Sequence, residues 1–184
     1  SADREVEERL REVIERVKEA LKRSKDVTDE VTRRVEKLDK ESNDTSREVI
    51  RRVEDMLSRV SDEDKVRRIK EELERVRRES EETSKKNKRE LDEVRKDSRR
   101  TLEDIRRKLE EVERRIREEL REVRDDELVK RIVEKVDKAV KDLEKLVREN
   151  VERVRRAVER SRKTVEDNVK RSRDVVRELR ERVR

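Results

Sequence analysis

Apolar residues return to one side of this chain every 3.6 positions on average, and that spacing restricts it to helices. Three stripes carry the pattern, from Val6 to Val60, from Val66 to Leu120 and from Val129 to Val183, and each spans 54 residues in 15 steps. A strand would place every second residue on one face; a step of one helical turn builds an amphipathic α-helix. The period also bears on shape. A strict seven-residue repeat imposes a left-handed supercoil and an eleven-residue repeat a right-handed one, so the observed mean predicts nearly straight helices.

Composition alone would argue for disorder. Charged residues make up 61% of the 184 and hydrophobic ones 28%, a balance that normally buries too little surface to offset chain entropy. The stripes overrule it by gathering the apolar residues on one face. Every remaining residue is Ser, Thr or Asn, with no Gly, Pro, Cys, His, Gln or aromatic anywhere. That inventory excludes thiolate and imidazole metal sites, disulfides, Cys nucleophiles and His bases. It also excludes glycine-rich phosphate loops and aromatic base-stacking platforms. The sequence therefore points to no enzyme, no cofactor and no metal. No stretch is apolar enough to span a membrane and no targeting signal is visible, so the expectation is a soluble chain from recombinant cytoplasmic expression.

The phase of the stripes divides the chain. Continuing the first stripe past Val60 misses Val66, Ile69 and Leu73 by more than one residue, and continuing the second past Leu120 misses Val129, Ile132 and Val136. Each break falls on cap chemistry, Ser61-Asp62-Glu63-Asp64 and Asp125-Asp126-Glu127, where hydroxyl or carboxylate acceptors and first-turn acids favour a new helix. We expect helix 1 over about 3–60, helix 2 over about 62–123 and helix 3 over about 126–183, with loops near 60–62 and 124–126. Short loops make successive helices antiparallel. The expected fold is all-α, an elongated antiparallel up-down-up three-helix bundle forming one domain, with helices of ~87 Å. Acid-to-base pairs four residues apart, such as Glu5–Arg9, Glu110–Arg114 and Glu144–Arg148, would add roughly 0.2–0.5 kcal/mol each on the outer faces.

Ser, Thr and Asn are mediocre helix formers, and most of them lie on the apolar stripes. If residue i of helix 1 faces 125 − i on helix 2, and residue j of helix 2 faces 251 − j on helix 3, Ser24 meets Thr101 and Asn150, and Ser42 meets Thr83 and Asn168. The same trio thus recurs after 18 residues on every helix, five turns apart. Thr28 and Ser98 extend the first layer; Ser46, Ser80, Asn87, Thr164 and Ser172 extend the second. Buried polar groups without partners cost about 1–3 kcal/mol each, so two layers ~27 Å apart are expected to satisfy one another. A register slip would bury Asn against Val, which makes the layers a device that specifies helix pairing.

An 18-residue repeat, a reused Ser/Thr/Asn layer, a Glu/Arg/Lys surface and little residue variety resemble de novo designed helical bundles with buried hydrogen-bond networks. The resemblance covers the whole chain as a style of sequence, and the Val-rich core departs from the Leu/Ile cores of that class. It implies a structural scaffold with no natural biochemical activity. The alternative is an assembly module. Helices 1 and 3 carry 18 and 20 apolar residues in segments 1–60 and 125–184, against 13 in segment 61–124. A groove between helices 1 and 3 would then take a designed partner helix or another copy of the chain. A monomer without partners is the first expectation. The net charge is +6, yet the signs are interspersed and no base-reading motif occurs, so neither specific nucleic acid nor a membrane surface is expected as partner.

Overall fold

The computed structural model describes residues 2–123 and 125–183. Three helices account for nearly all of them: α1 (Ala2–Leu57), α2 (Glu63–Glu122) and α3 (Asp126–Val183). They pack against one another as an all-α three-helix bundle. Arg124, inside the second expected loop, lies outside the described residues.

The helix ends explain how the chain turns without glycine. The amide of Lys65 donates to Asp62 Oδ1 at 3.2 Å, so the cap of α2 is the Asp62 carboxylate and not the Ser61 hydroxyl. Asp125 caps α3 in the same way, accepting from the amide of Glu127 at 3.1 Å. At the end of α1 the hydrogen bonds tighten by one residue, Arg59 N–H to Met56 O at 3.2 Å and Val60 N–H to Leu57 O at 3.1 Å. Ser58 Oγ donates to the Asp55 carbonyl at 2.6 Å. Tightened turns and a hydroxyl satisfy carbonyls that otherwise need a left-handed residue. No described residue has a positive φ, so none of them demands glycine.

Contacts gather the chain into two compact units, residues 1–30 with 94–156 and residues 31–93 with 157–184, each holding a segment of every helix. In the first unit Leu10 and Val17 of α1, Ile105 and Leu109 of α2, and Val136 and Val140 of α3 belong to one buried apolar cluster. In the second, Val53 and Leu57 of α1 meet Ile69 and Leu73 of α2 and Val176 and Leu179 of α3. These residues sit at helical spacing on a single face of each helix, so local periodicity is converted directly into a core.

The outer faces carry ion pairs, though not always the expected ones. Glu110 pairs with Arg106 at 3.4 Å, and Arg114 with Glu118 at 3.4 Å, in place of a Glu110–Arg114 pair. Exposed pairs on one helix differ by a few tenths of a kcal/mol, so an acid with bases on both sides exchanges between them. Arg162 binds Glu159 and Glu166 at once and holds the Glu159 carboxyl below its ordinary range.

Ile69 is fully enclosed. Truncation to alanine is expected to cost about 2–5 kcal/mol in urea unfolding followed by circular dichroism. A loss well under 1 kcal/mol would mean that this layer is not close-packed.

A candidate structural site: the buried polar residues

In the first unit Asn150 of α3 is the hub. Its side chain is 2% exposed. One amide N–H reaches Ser24 Oγ of α1 at 3.2 Å and the other reaches Ser98 Oγ of α2 at 3.0 Å. Thr28 Oγ1 donates to the Ser24 carbonyl at 2.8 Å, which commits its only proton. The 3.4 Å contact between Thr28 Oγ1 and Ser98 Oγ then has Ser98 as its donor. A directed chain results, from the Asn150 amide to Ser98, to Thr28 and into the backbone of α1. Aligned donors polarise one another in a poorly solvated interior, and three helices are tied at one level.

The second unit solves the same problem pairwise. Ser161 Oγ of α3 donates to Asn87 Oδ1 of α2 at 2.5 Å, with both residues buried. Asn168 Nδ2 of α3 donates to the Oγ of Ser80 on α2 at 3.2 Å and to its carbonyl at 3.3 Å. On the α1 side Asn43 Nδ2 donates to Ser84 Oγ of α2 at 2.9 Å, and Ser84 passes its own proton to Asp39 Oδ1 at 3.0 Å. The alternative acceptor, Asn43 Oδ1, stands further off at 3.3 Å, and a carboxylate is the stronger acceptor.

The pairs between α2 and α3 share one register. Ser98–Asn150, Asn87–Ser161 and Ser80–Asn168 each join residues whose numbers add to 248. The sequence rule used 251. The helix ends agree with the smaller sum, since α2 stops at Glu122 and α3 starts at Asp126, and 122 and 126 also add to 248. Between α1 and α2 the sums are 126 for Thr28–Ser98 and 127 for Asn43–Ser84, close to the expected 125.

Those small shifts redistribute the expected layers. Ser24, Thr28, Ser98 and Asn150 come together. Thr101 does not join them; it is half-buried and its hydroxyl donates to the Asp97 carbonyl of its own helix at 3.0 Å. The expected Ser42–Thr83–Asn168 trio is not assembled. Ser42 donates to Leu38 O at 2.7 Å, Thr83 to Glu79 O at 2.9 Å and Thr164 to Arg160 O at 3.0 Å, each within its own helix. A Ser or Thr hydroxyl can always fall back on the carbonyl four residues earlier, so its place on a stripe does not guarantee a partner on another helix. Asn168 takes Ser80 in place of Thr83, Asn87 takes Ser161, and Ser46 and Ser172 line a groove instead.

Thr32 and Ser161, which are buried, and Asn43 and Ser84, which are half-buried, were not among the expected layers. Thr32 is fully enclosed, and it lies four residues past Thr28 and eight past Ser24, on the same helical face. Ser161 lies eleven residues past Asn150, three turns on. Ser161 stands on the apolar stripe itself, between Val158 and Val165, so the stripe carried the signal for it.

Asp39 is the one member with a resolved charge effect. Partial burial raises its pKa above the ordinary aspartate value, against a smaller lowering by the Ser84 hydrogen bond. Glu36, Lys40, Asp44 and Arg47 of α1 and Lys85 and Lys88 of α2 line the same hollow. None of this resembles a reaction centre: no group of three His, Cys, Asp or Glu side chains able to hold a metal occurs among the described residues, and no described helix is long and apolar enough to cross a membrane.

Two expectations follow. Asn150→Ala strands two hydroxyls and should cost about 1–3 kcal/mol at each of them. Ser24→Ala strands a single N–H of Asn150 and should cost about 1–3 kcal/mol in all; equal losses by urea titration would remove Asn150 from the hub. For Asp39, the folded state binds the proton more tightly than the unfolded one, so stability falls as pH rises from the ordinary aspartate value through the raised one. Asp39→Asn should therefore raise the urea midpoint near pH ~7, and the gain should shrink towards pH ~3. A gain that is the same at both would show that the carboxyl charge is not its source.

Comparison of the chain with protein-family models, with curated proteins and with solved structures finds no match.

Proposed function

We propose that this chain is a structural scaffold whose buried hydrogen bonds select helix pairing and register, and that it performs no catalysis. The observation that carries the reading is the Asn150 amide, with both N–H groups spent on hydroxyls of two other helices. A ligand site would present such groups to an opening, whereas here they end on each other. An interior of Val, Leu and Ile alone would be simpler and no less stable, since replacing a satisfied polar cluster by apolar residues of like shape is often neutral or favourable. What the polar cluster adds is a penalty on every misaligned pairing. A designed origin fits the same features: an 18-residue repeat of Ser, Thr and Asn and a chain without a single Gly or Pro.

The test separates stability from specificity. Ser24, Thr28, Ser98 and Asn150 are replaced by Ala, Val, Ala and Leu, and in the same variant Asn43, Asn87 and Asn168 by Leu and Ser80, Ser84 and Ser161 by Ala, so that the polar pairs of both units are removed together. The variant is expected to remain helical and to unfold at an equal or higher urea concentration. Its methyl NMR spectrum is expected to broaden or multiply as alternative registers become populated. A single sharp set of methyl signals, matching the parent outside the replaced positions, would overturn the proposal.

A further inference from the structure

Ser61 is the one hydroxyl residue of the chain followed directly by three acids, Asp62, Glu63 and Asp64. Thr28, Ser80, Thr101 and Thr164 have two acids among their next three residues, and Thr101 and Thr164 share with Ser61 a Glu-Asp pair at the second and third places. Carboxylates running on from a hydroxyl are a charge pattern by which a kinase with a basic peptide groove selects its substrate. The sequence therefore offers five hydroxyls of this kind, and the structure separates them. Thr28 and Ser80 are buried. Thr101 and Thr164 lie well inside helices, and their hydroxyls donate to Asp97 O and Arg160 O one turn back. To meet a phosphoryl donor each would have to leave its acceptor, with the helix opened on both sides of it.

Ser61 has neither obstacle. It is exposed, in the irregular turn between α1 and α2. The cap of α2 is the Asp62 carboxylate, so the Ser61 hydroxyl is not spent on a helix amide, and it makes no hydrogen bond among the described residues. The other hydroxyl of that turn, Ser58, is committed to the Asp55 carbonyl. Glu63 and Asp64 belong to the first turn of α2, where the leading amides have no acceptor within the helix. Drawing the acids out into a groove releases that one turn, with the Lys65 N–H bond to Asp62 Oδ1, the Val66 N–H bond to Asp62 O at 3.1 Å and the exposed Arg67–Asp64 pair at 3.3 Å. A helix end is the part of a helix that opens most readily. From this free hydroxyl, its acid run and its irregular backbone we propose that Ser61 is a phosphorylation site for a serine kinase with a cationic peptide groove, with a nucleoside triphosphate as phosphoryl donor. Ser61 Oγ forms a bond to the γ-phosphorus while the bond from that phosphorus to the β,γ-bridging oxygen breaks. The diphosphate leaves, and the hydroxyl proton passes to the kinase's catalytic aspartate. The product adds about −1.5 to −2 charges to the turn at neutral pH. The assignment does not depend on how the interior polar residues are read.

The experiment incubates the full chain with Mg-ATP and a serine/threonine kinase that selects carboxylates after the hydroxyl. Intact mass counts the phosphoryl groups and fragment-ion sequencing locates them. One group per chain is expected, on Ser61. Ser61→Ala should abolish it and Ser61→Thr should keep it. Glu63→Gln with Asp64→Asn leaves the Asp62 cap in place and should lower the initial rate at least about tenfold. Far-ultraviolet circular dichroism checks that every variant is folded. Absence of phosphate from Ser61 would overturn the proposal, as would a rate there indifferent to Glu63 and Asp64. Modification of Thr101 or Thr164 at a rate comparable to Ser61 would overturn it too, since the turn would then confer no selection.

Discussion

A primary amide placed among valines must find two acceptors for its two N–H groups or lose the free energy of two hydrogen bonds to water. Asn150 is in that position, and the arrangement of its unit follows from how it is resolved. Ser24 and Ser98 are the acceptors, each on a different helix. Moving either helix along its axis by one residue carries the hydroxyl ~1.5 Å along the axis and turns it ~100° away. The apolar stripe alone would tolerate a shift of about a turn, because Val and Leu recur at the same spacing everywhere. In the role proposed for it, the polar cluster removes that degeneracy.

The cost of this device falls unevenly across residue types. Ser and Thr enter a helix with an alternative acceptor already in place, the carbonyl one turn back. Ser42, Thr45, Thr83, Thr101 and Thr164 all use it. Thr28 uses it and still accepts from Ser98. Asn has no such refuge in a helix interior, and each of Asn43, Asn87, Asn150 and Asn168 holds a partner on another helix. In the proposed role the asparagines therefore dictate pairing, while the hydroxyl residues are available to them.

Polar interior and apolar core also divide the work of stability. Within each unit the clusters around Val17 and around Ile69 supply burial, and the surface charges add little because most are exposed and interchangeable, as Glu110 and Arg114 show by choosing Arg106 and Glu118. Asp39 is an exception with a cost. It gives Ser84 a strong acceptor but is held partly out of water, and its raised pKa records the imbalance.

The three helices were legible in the sequence because helix formation here is a local matter, with period, cap residues and the phase breaks near positions 61 and 125 all acting within a few turns. Much of the apolar interior was legible for the same reason, and Asn87, Asn150 and Asn168, expected inside, hold partners on other helices, whereas Asn43, off the apolar stripe, was not expected. What the sequence could not decide was which hydroxyl each asparagine would take. Thr101 and Ser98 lie three residues apart on α2 and Thr83 and Ser80 likewise, so both members of each pair fall near one face. The choice of Ser98 and Ser80 was made by the level at which α2 and α3 meet. That level is set by tertiary packing, which is not encoded in a residue's own helical propensity.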